Sequence, residues 1–73
     1  MTSLSVQDIA DLRLLGYHVT NKEGQTFVDG NGYVFEEDFG RWYLYSDIMD
    51  CFVYIDEFET IWEAIAYVKE VLS

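Results

Sequence analysis

The first apolar residues of the chain recur at every third position. They are Val6, Ile9, Leu12 and Leu15. Ser5 precedes them and Asp8 follows Ser5 by three positions, which is a variant of the capping box that starts many helices. Gly16 then provides a residue that accepts the left-handed conformation found at helix C-termini. The pattern predicts a short helix over residues 6–15.

The chain also ends in an apolar stripe at helical spacing. Its members are Ile61, Ala64, Ile65, Val68, Val71 and Leu72. Thr60 and Glu63 stand in the two positions of a full capping box at the start of this segment. Because the apolar residues share one side, we predict an amphipathic helix over residues 61–72 that packs on the rest of the protein.

Between the two helices, apolar positions alternate with polar ones, which is typical of half-buried strands. The predicted strands cover residues 17–20, 25–29, 33–38, 41–46 and 51–56. Glycine accepts positive φ without a Cβ clash, so the segment 30–32 predicts a tight turn. The strongest strand patterns are Trp42–Tyr45 and Phe52–Ile55, and we expect these two segments to pair as a hairpin.

The length of 73 residues is sufficient for one domain, and we predict a single α+β domain over residues 1–73. Its expected architecture is an antiparallel sheet of four to five strands, with a short N-terminal helix and a C-terminal helix packed on it. A chain of this size buries a small core. Because 51% of the residues are apolar and 18% are aromatic, the composition excludes a disordered acidic tail.

Side-chain alternation divides the residues of the predicted hairpin between two faces. The face expected to meet the C-terminal helix holds Trp42, Leu44, Val53 and Ile55. The other face holds Tyr43, Tyr45, Phe52 and Tyr54. Four uncovered aromatic residues would form a larger apolar patch than most monomers present. The sequence leaves two covers open: the N-terminal helix, or a partner that is another protein or a second copy of this chain.

Negative charge is concentrated in the middle of the chain. There are 14 acidic and 4 basic residues, and the segment 29–59 holds nine of the acidic residues against Arg41 alone. So few cations exclude a nucleic-acid-binding protein of the usual kind. The carboxylates either keep an aromatic-rich chain soluble or form a surface for a basic partner. Glu36 and Asp38 lie about 6.6 Å apart along one strand, a spacing that allows a row of carboxylates to resemble phosphates.

The chain offers little catalytic chemistry, because catalysis needs paired titratable groups with different roles. Its one histidine, His18, is expected at the surface or at a strand edge, and its one cysteine, Cys51, as a small core residue. The segment that starts at Asp29 begins like a calcium-binding loop, but three required positions hold unsuitable residues: Tyr33, Val34 and Gly40. We predict that the protein is not an enzyme and has no cofactor and no metal site.

The sequence also gives an expectation about the compartment. A single cysteine forms no internal disulfide, which argues against a secreted, disulfide-stapled domain. Residues 1–15 contain three charged side chains and lack the apolar run of a signal peptide. Because no segment approaches the roughly 18 apolar residues of a membrane span, we expect a cytoplasmic protein without membrane contact.

In size, acidity, aromatic content and lack of catalytic groups, the chain resembles the small acidic inhibitors that phages and mobile elements make against nucleic-acid machinery. Anti-restriction and anti-CRISPR proteins belong to this class. The resemblance rests on this profile over the whole chain and on no motif, so it assigns no role to a particular residue. It implies that the protein competes for a basic nucleic-acid channel, as a nucleic-acid mimic, or locks an effector protein.

The first functional hypothesis is therefore a non-catalytic acidic inhibitor that engages the basic surface of a nucleic-acid-binding protein and does not bind nucleic acid itself. The expected partner-binding residues are Glu36, Glu37, Asp38, Tyr43, Tyr45, Asp47, Asp50, Tyr54, Asp56 and Glu57. The second hypothesis is a homodimeric structural module whose aromatic face is the dimer contact. The third is an acidic regulatory subunit of a larger enzyme complex.

Overall fold

The computed structural model describes residues 4–72. The described elements are α1 (Val6–Leu14), β1 (His18–Lys22), β2 (Gln25–Gly30), β3 (Tyr33–Asp38), β4 (Arg41–Ile48), β5 (Cys51–Phe58) and α2 (Ile61–Tyr67). Residues Val68–Leu72 continue α2 as a π-helix. This element order confirms the predicted α+β fold, and β4 and β5 each extend two residues further than the sequence pattern indicates.

The five strands form one antiparallel sheet in the order β1-β2-β3-β4-β5, so each strand pairs with its neighbour along the chain. Four two-residue turns with positive φ connect them: Glu23-Gly24, Asn31-Gly32, Phe39-Gly40 and Met49-Asp50. Turns of this length with positive φ match the twist of the paired strands. Because they leave no spare residue, they set the register with which each hairpin begins. The β4–β5 register then shifts once, between Leu44 and Tyr45.

Side chains cap the N-termini of both helices. The Asp8 N–H donates to Ser5 Oγ at 3.0 Å and the Ser5 N–H donates to Asp8 Oδ2 at 3.1 Å, which confirms the predicted capping box. The Glu63 N–H donates to Thr60 Oγ1 at 3.2 Å at the start of α2. Trp62 Nε1–H donates to Asp8 Oδ1 at 3.2 Å and so connects the two helices. The bond from the Ser5 N–H, followed by that from Trp62, lowers the pKa of Asp8.

Both helices pack on the same face of the sheet and enclose one hydrophobic core. Its buried residues are Leu4, Leu12, Tyr17, Val28, Phe35, Trp42, Leu44, Ile61, Ala64, Ile65 and Val68. The burial of Trp42 and Leu44 beside Ile61 confirms that these two strand residues face α2. Because Leu12 of α1 belongs to the same core, the alternative in which the N-terminal helix covers the second face is wrong.

The connection from α1 to β1 passes close to β2 at Gly30. A Cβ atom on Gly30 would lie 2.9 Å from Tyr17 Cδ1 and 3.0 Å from the carbonyl oxygen of Gly16. The missing side chain lets the Tyr17 ring enter the core, where it meets Phe35 edge to face with 5.7 Å between the ring centroids. Gly30 therefore ends β2 and makes room for the chain that follows α1.

The outer end of the β4–β5 hairpin extends beyond the helices. Its apolar side chains are exposed, including Met49 at 90% and Val53 at 57%. Cys51 is exposed as well, so the prediction of a core cysteine is wrong, because this end of β5 has no helix packed on it. His18 is exposed on the edge strand β1, as predicted. Within residues 4–72, no helix combines the length and the apolar character needed to cross a membrane.

Candidate protein-binding face

The face of the sheet that points away from the helices has no other element packed on it in the described part of the chain. Cross-strand partners share a face, and the register places Tyr43 between Glu36 and Glu57. We call this surface the open face, and its residues are His18, Thr20, Lys22, Gln25, Phe27, Asp29, Val34, Glu36, Asp38, Arg41, Tyr43, Tyr45, Asp47, Phe52, Tyr54 and Glu57.

Three tyrosines form the centre of the open face. The Met49-Asp50 turn sets Tyr54 directly opposite Tyr45, and the register shift that follows places Glu57 opposite Tyr43. The Tyr54 ring contacts Tyr45 edge to face with 5.8 Å between centroids, and it contacts Tyr43 at 6.4 Å. Tyr54 remains 53% exposed and the neighbouring Phe52 66% exposed. These rings contact one another and still present a large surface to a partner.

A shallow groove of about 250 Å³ lies beside this tyrosine cluster, and it is lined by Phe27, Val34, Glu36, Tyr45 and Phe52. Glu36 is the single charged residue of the lining. Its carboxylate accepts a hydrogen bond from Gln25 Nε2 at 3.0 Å and another from the Tyr45 hydroxyl at 3.3 Å. The two bonds hold the carboxylate in place among apolar and aromatic walls.

The phenol groups of the open face are harder to ionise than a free tyrosine. Burial raises the pKa of Tyr45 above 10.0, and the negative charge of Glu36 and its hydrogen bond raise it further. Burial also raises the pKa of Tyr54, followed by the charges of Glu57 and Asp56. Both hydroxyls therefore stay protonated at neutral pH and remain available as hydrogen-bond donors.

The open face carries two cations, Lys22 on the edge strand β1 and Arg41 on β4. Arg41 lies at the β3–β4 end. It stands opposite Asp38 in the register, and its guanidinium lies 3.7 Å from the Glu57 carboxylate. The Arg41 Nε atom is buried and makes no hydrogen bond within the described residues. Since this ion pair engages Glu57, the other carboxylates of the open face are not neutralised by Arg41.

The structure brings seven of the ten predicted partner-binding residues onto the open face: Glu36, Asp38, Tyr43, Tyr45, Asp47, Tyr54 and Glu57. The other three lie elsewhere. Glu37 stands opposite the core residue Trp42, and Asp56 stands opposite the core residue Leu44. Asp50 lies in the β4–β5 turn. A strand alternates its faces, so neighbours such as Glu36 and Glu37 point to opposite sides.

Three residues of the groove were absent from the predicted site, namely Phe27, Val34 and Phe52. Phe27 stands opposite Glu36 because the Asn31-Gly32 turn pairs Gly30 with Tyr33. Asn-Gly is the strongest two-residue hairpin signal in a sequence, and counting back from it gives this pairing directly. The pairing of Phe27 with Glu36, which forms one side of the groove, could therefore have been predicted from the Asn31-Gly32 turn. Acidic and tyrosine content alone does not reveal it.

The open face offers binding groups of defined chemistry. It presents aromatic rings, phenol hydroxyls and carboxylates, and the carboxylates accept hydrogen bonds and attract cations. Among residues 4–72 there is no group of three or more His, Cys, Asp and Glu side chains placed to hold a metal ion together. The arrangement suits recognition of a positively charged, partly apolar surface.

Comparison with known proteins places the chain beside a phage protein. It is 43% identical over 54 residues to an "Uncharacterized 9.8 kDa protein in Gp55-nrdG intergenic region" of Enterobacteria phage T4. The aligned region covers 73% of this chain and spans 62% of the length of the relative. This similarity agrees with the phage part of the resemblance drawn from the sequence, whereas the inhibitor part stays a prediction.

No solved structure matches the chain. A family model described as "Family of unknown function (DUF5495)" matches residues 4–71, and the chain therefore belongs to this family.

Proposed function

We propose that the protein is a non-catalytic binding protein whose open face engages the basic surface of a nucleic-acid-binding protein and blocks it. The observation that carries this proposal is the uncovered sheet face, on which exposed aromatic rings lie among carboxylates. Both helices pack on the opposite face, so the fold itself leaves this surface unused. A small domain gains stability by burying such rings, and their exposure is consistent with selection for contact with a partner.

The aromatic centre of the open face has the composition of a protein-binding hot spot. Tyrosine supplies a large contact area with a polar tip, and it is enriched among residues that dominate binding energy. Tyr54 contacts both Tyr43 and Tyr45, which restrains the ring before a partner arrives. Less side-chain freedom is then lost on binding, which favours affinity.

The charges of the open face favour a basic partner. Its five carboxylates belong to Asp29, Glu36, Asp38, Asp47 and Glu57, and its cations are Arg41 and the edge-strand residue Lys22. Five negative charges against the two positive charges of Arg41 and Lys22 give this surface a net charge of −3. Such a field attracts a lysine- and arginine-rich surface, accelerates association and repels phosphate groups. The partner is therefore a protein, and nucleic acid competes with this chain for the same basic surface.

The second hypothesis is a homodimer through the open face. The negative charges of this face argue against it. A twofold axis brings the same patch of each subunit together, so the carboxylates of one copy would approach those of the other. Like charges at an interface oppose association, and salt would then strengthen the dimer by screening them. Sedimentation at low and high salt tests this second function, since a dimer that tightens with salt would replace the first proposal.

Capture with matched variants tests the proposed function. The baits are the unaltered protein, Asp47→Lys on the open face and Glu70→Lys on the helical side. Both variants change the net charge equally, and both positions are exposed. Nuclease-treated bacterial lysate is applied at about 0.15 M salt, where the Debye length is about 8 Å. We expect basic nucleic-acid-binding proteins on the unaltered and Glu70→Lys baits and their loss from Asp47→Lys.

The captured protein then enters a competition assay against its nucleic acid. We expect the unaltered chain to displace the nucleic acid and Asp47→Lys to do so much less effectively. Equal capture by Asp47→Lys and Glu70→Lys would show that net charge alone retains the proteins and would overturn the proposal. Capture without displacement would overturn the blocking activity.

A further inference from the structure

The groove of the open face contains one charged group with an unusual setting. The Glu36 carboxylate lies among Phe27, Val34, Tyr45 and Phe52, whose side chains are apolar or aromatic. Its two hydrogen bonds come from the uncharged donors Gln25 and Tyr45. Arg41 pairs with Glu57, and within the described residues no ion pair of 4.0 Å or less joins Glu36 to a cation.

The carboxylate of Glu36 has capacity for further donors. Gln25 donates to Oε2 and Tyr45 donates to Oε1, which uses one site on each oxygen. An ionised carboxylate has about four acceptor sites, so each oxygen keeps one for an incoming group. Two parallel N–H donors fit this remaining pair, and that is the geometry of a guanidinium. Tyr45 and Gln25 hold the carboxylate in one orientation before the donor arrives.

We propose that this groove is a socket for an arginine side chain of the partner protein. The proposal rests on the proposed function and names the group that the open face recognises. The groove volume of about 250 Å³ equals about eight waters at roughly 30 Å³ each, which is sufficient for the seven heavy atoms of an arginine side chain. The guanidinium donates to Glu36, and the walls cover its planar faces.

The walls of the groove favour arginine over lysine. A guanidinium is planar, weakly hydrated and able to stack on aromatic rings such as Phe27, Tyr45 and Phe52. An ammonium group is a strongly hydrated point charge, and it loses more hydration when it enters an apolar groove. The lysine stem fits the walls, but its head cannot donate two parallel bonds to Glu36. The groove therefore distinguishes two residues that carry the same charge.

Titration of the protein with hexa-arginine and hexa-lysine peptides tests the socket. Binding is followed by NMR, with the ring signals of Phe27 and Phe52 as reporters. We expect hexa-arginine to shift these signals and to bind several-fold more tightly than hexa-lysine. Glu36→Gln keeps the shape of the side chain and removes its charge. It should lower the affinity for hexa-arginine about tenfold. Glu70→Gln makes the same change of charge on the helical side and should weaken binding less than twofold.

Two results would overturn the socket. One is equal weakening by Glu36→Gln and Glu70→Gln, and the other is equal affinity for the two peptides without shifts at Phe27 and Phe52. Tyr45→Phe provides a second variant, since it removes the hydroxyl that orients Glu36 and keeps the ring. We expect Tyr45→Phe to reduce the ratio of the affinity for hexa-arginine to the affinity for hexa-lysine.

The same titration separates this inference from the proposed function. If Glu36→Gln has no effect while Asp47→Lys abolishes capture of the basic partner, the socket is wrong and the protein-binding face stands. If neither variant changes partner binding, both are wrong. If Glu36→Gln weakens both the peptide and the captured partner, the socket and the face are supported together.

Discussion

The two faces of the sheet are both rich in apolar side chains, yet they differ in the chemistry at the side-chain tips. On the covered face Phe35 and Leu44 are fully buried and Trp42 is 2% exposed. On the open face the large residues are mostly tyrosines, whose hydroxyls reach water or a carboxylate. The covered face of β2 to β4 therefore buries side chains without hydroxyl groups at its centre, whereas a surface that alternates between solvent and a partner uses both polar and apolar groups.

This comparison explains why one alternating pattern produces two different surfaces. Each strand from β2 to β4 places an apolar residue on both sides, so hydrophobicity alone assigns neither face to the helices. The cluster of three tyrosines on one face makes the distinction, because each buried phenol would need a hydrogen-bond partner and an exposed one has water. The helices therefore pack on the face that carries Phe35, Trp42 and Leu44, and they leave the tyrosine face open.

The largest expected difference between the faces concerns folding stability. Phe35→Ala removes a fully buried ring from the middle of the core and should lower the free energy of unfolding by about 3–5 kcal/mol. Tyr54→Ala on the open face should cost about 1 kcal/mol, because the ring is already half exposed. Chemical denaturation followed by tryptophan fluorescence measures both. Similar losses would show that the open face is a second core.

A smaller difference is expected at the neighbouring positions 29 and 30. Gly30→Ala places a methyl group against Tyr17 and Gly16, so we expect a loss of about 1–3 kcal/mol in the free energy of unfolding. Asp29→Ala, one residue away on the open face, is the control, and it should stay within about 0.5 kcal/mol. Thermal unfolding of the pair measures the difference. An unchanged stability in Gly30→Ala would contradict the close approach of the α1–β1 connection.

The smallest expected effect is a change in folding stability at alkaline pH, and it arises from Tyr45 on the open face. Since the folded state raises the pKa of Tyr45 above 10.0, its protonated form stabilises the fold fully below pH 10. That contribution is lost as the pH rises through the folded-state pKa. Glu36→Gln removes the negative charge that helps to raise this pKa, so the phenol should ionise at lower pH. Absorbance titration of the phenolate measures the change, and an unaltered titration curve would place Glu36 away from Tyr45.

Much of the fold is readable from the sequence because local signals agree with the tertiary structure. Ser5 and Asp8 start α1, Thr60 starts α2, and the β3 boundaries coincide with the predicted ones. These features depend on neighbours within a few residues. The sheet face on which α1 packs depends on tertiary contacts of the whole sheet. For that reason the sequence pattern did not decide between the two faces.

The candidate site shows the same difference between features that neighbouring residues determine and features that depend on the packing of the whole sheet. Tyr43, Tyr45 and Tyr54 share a face because alternation within a hairpin is local. Glu37 and Asp56 were grouped with them by charge, although the pairing with core residues places them on the other side. Charge composition carries no directional information, whereas register does. A site prediction that followed strand alternation would have excluded Glu37. Asp56 alternates with Tyr54 and reaches the other face only because of the register shift in the β4–β5 pairing.

The order of the strands has a consequence for the way in which this protein folds. Each strand pairs with the next one along the chain through a two-residue turn, so the sheet assembles from short-range closures that cost little chain entropy. Proteins of such low contact order fold rapidly. The longest closure joins α1 to α2, whose Asp8 and Trp62 side chains meet across 54 positions. We therefore expect the meander to form first, and the docking of the two helices to set the folding rate.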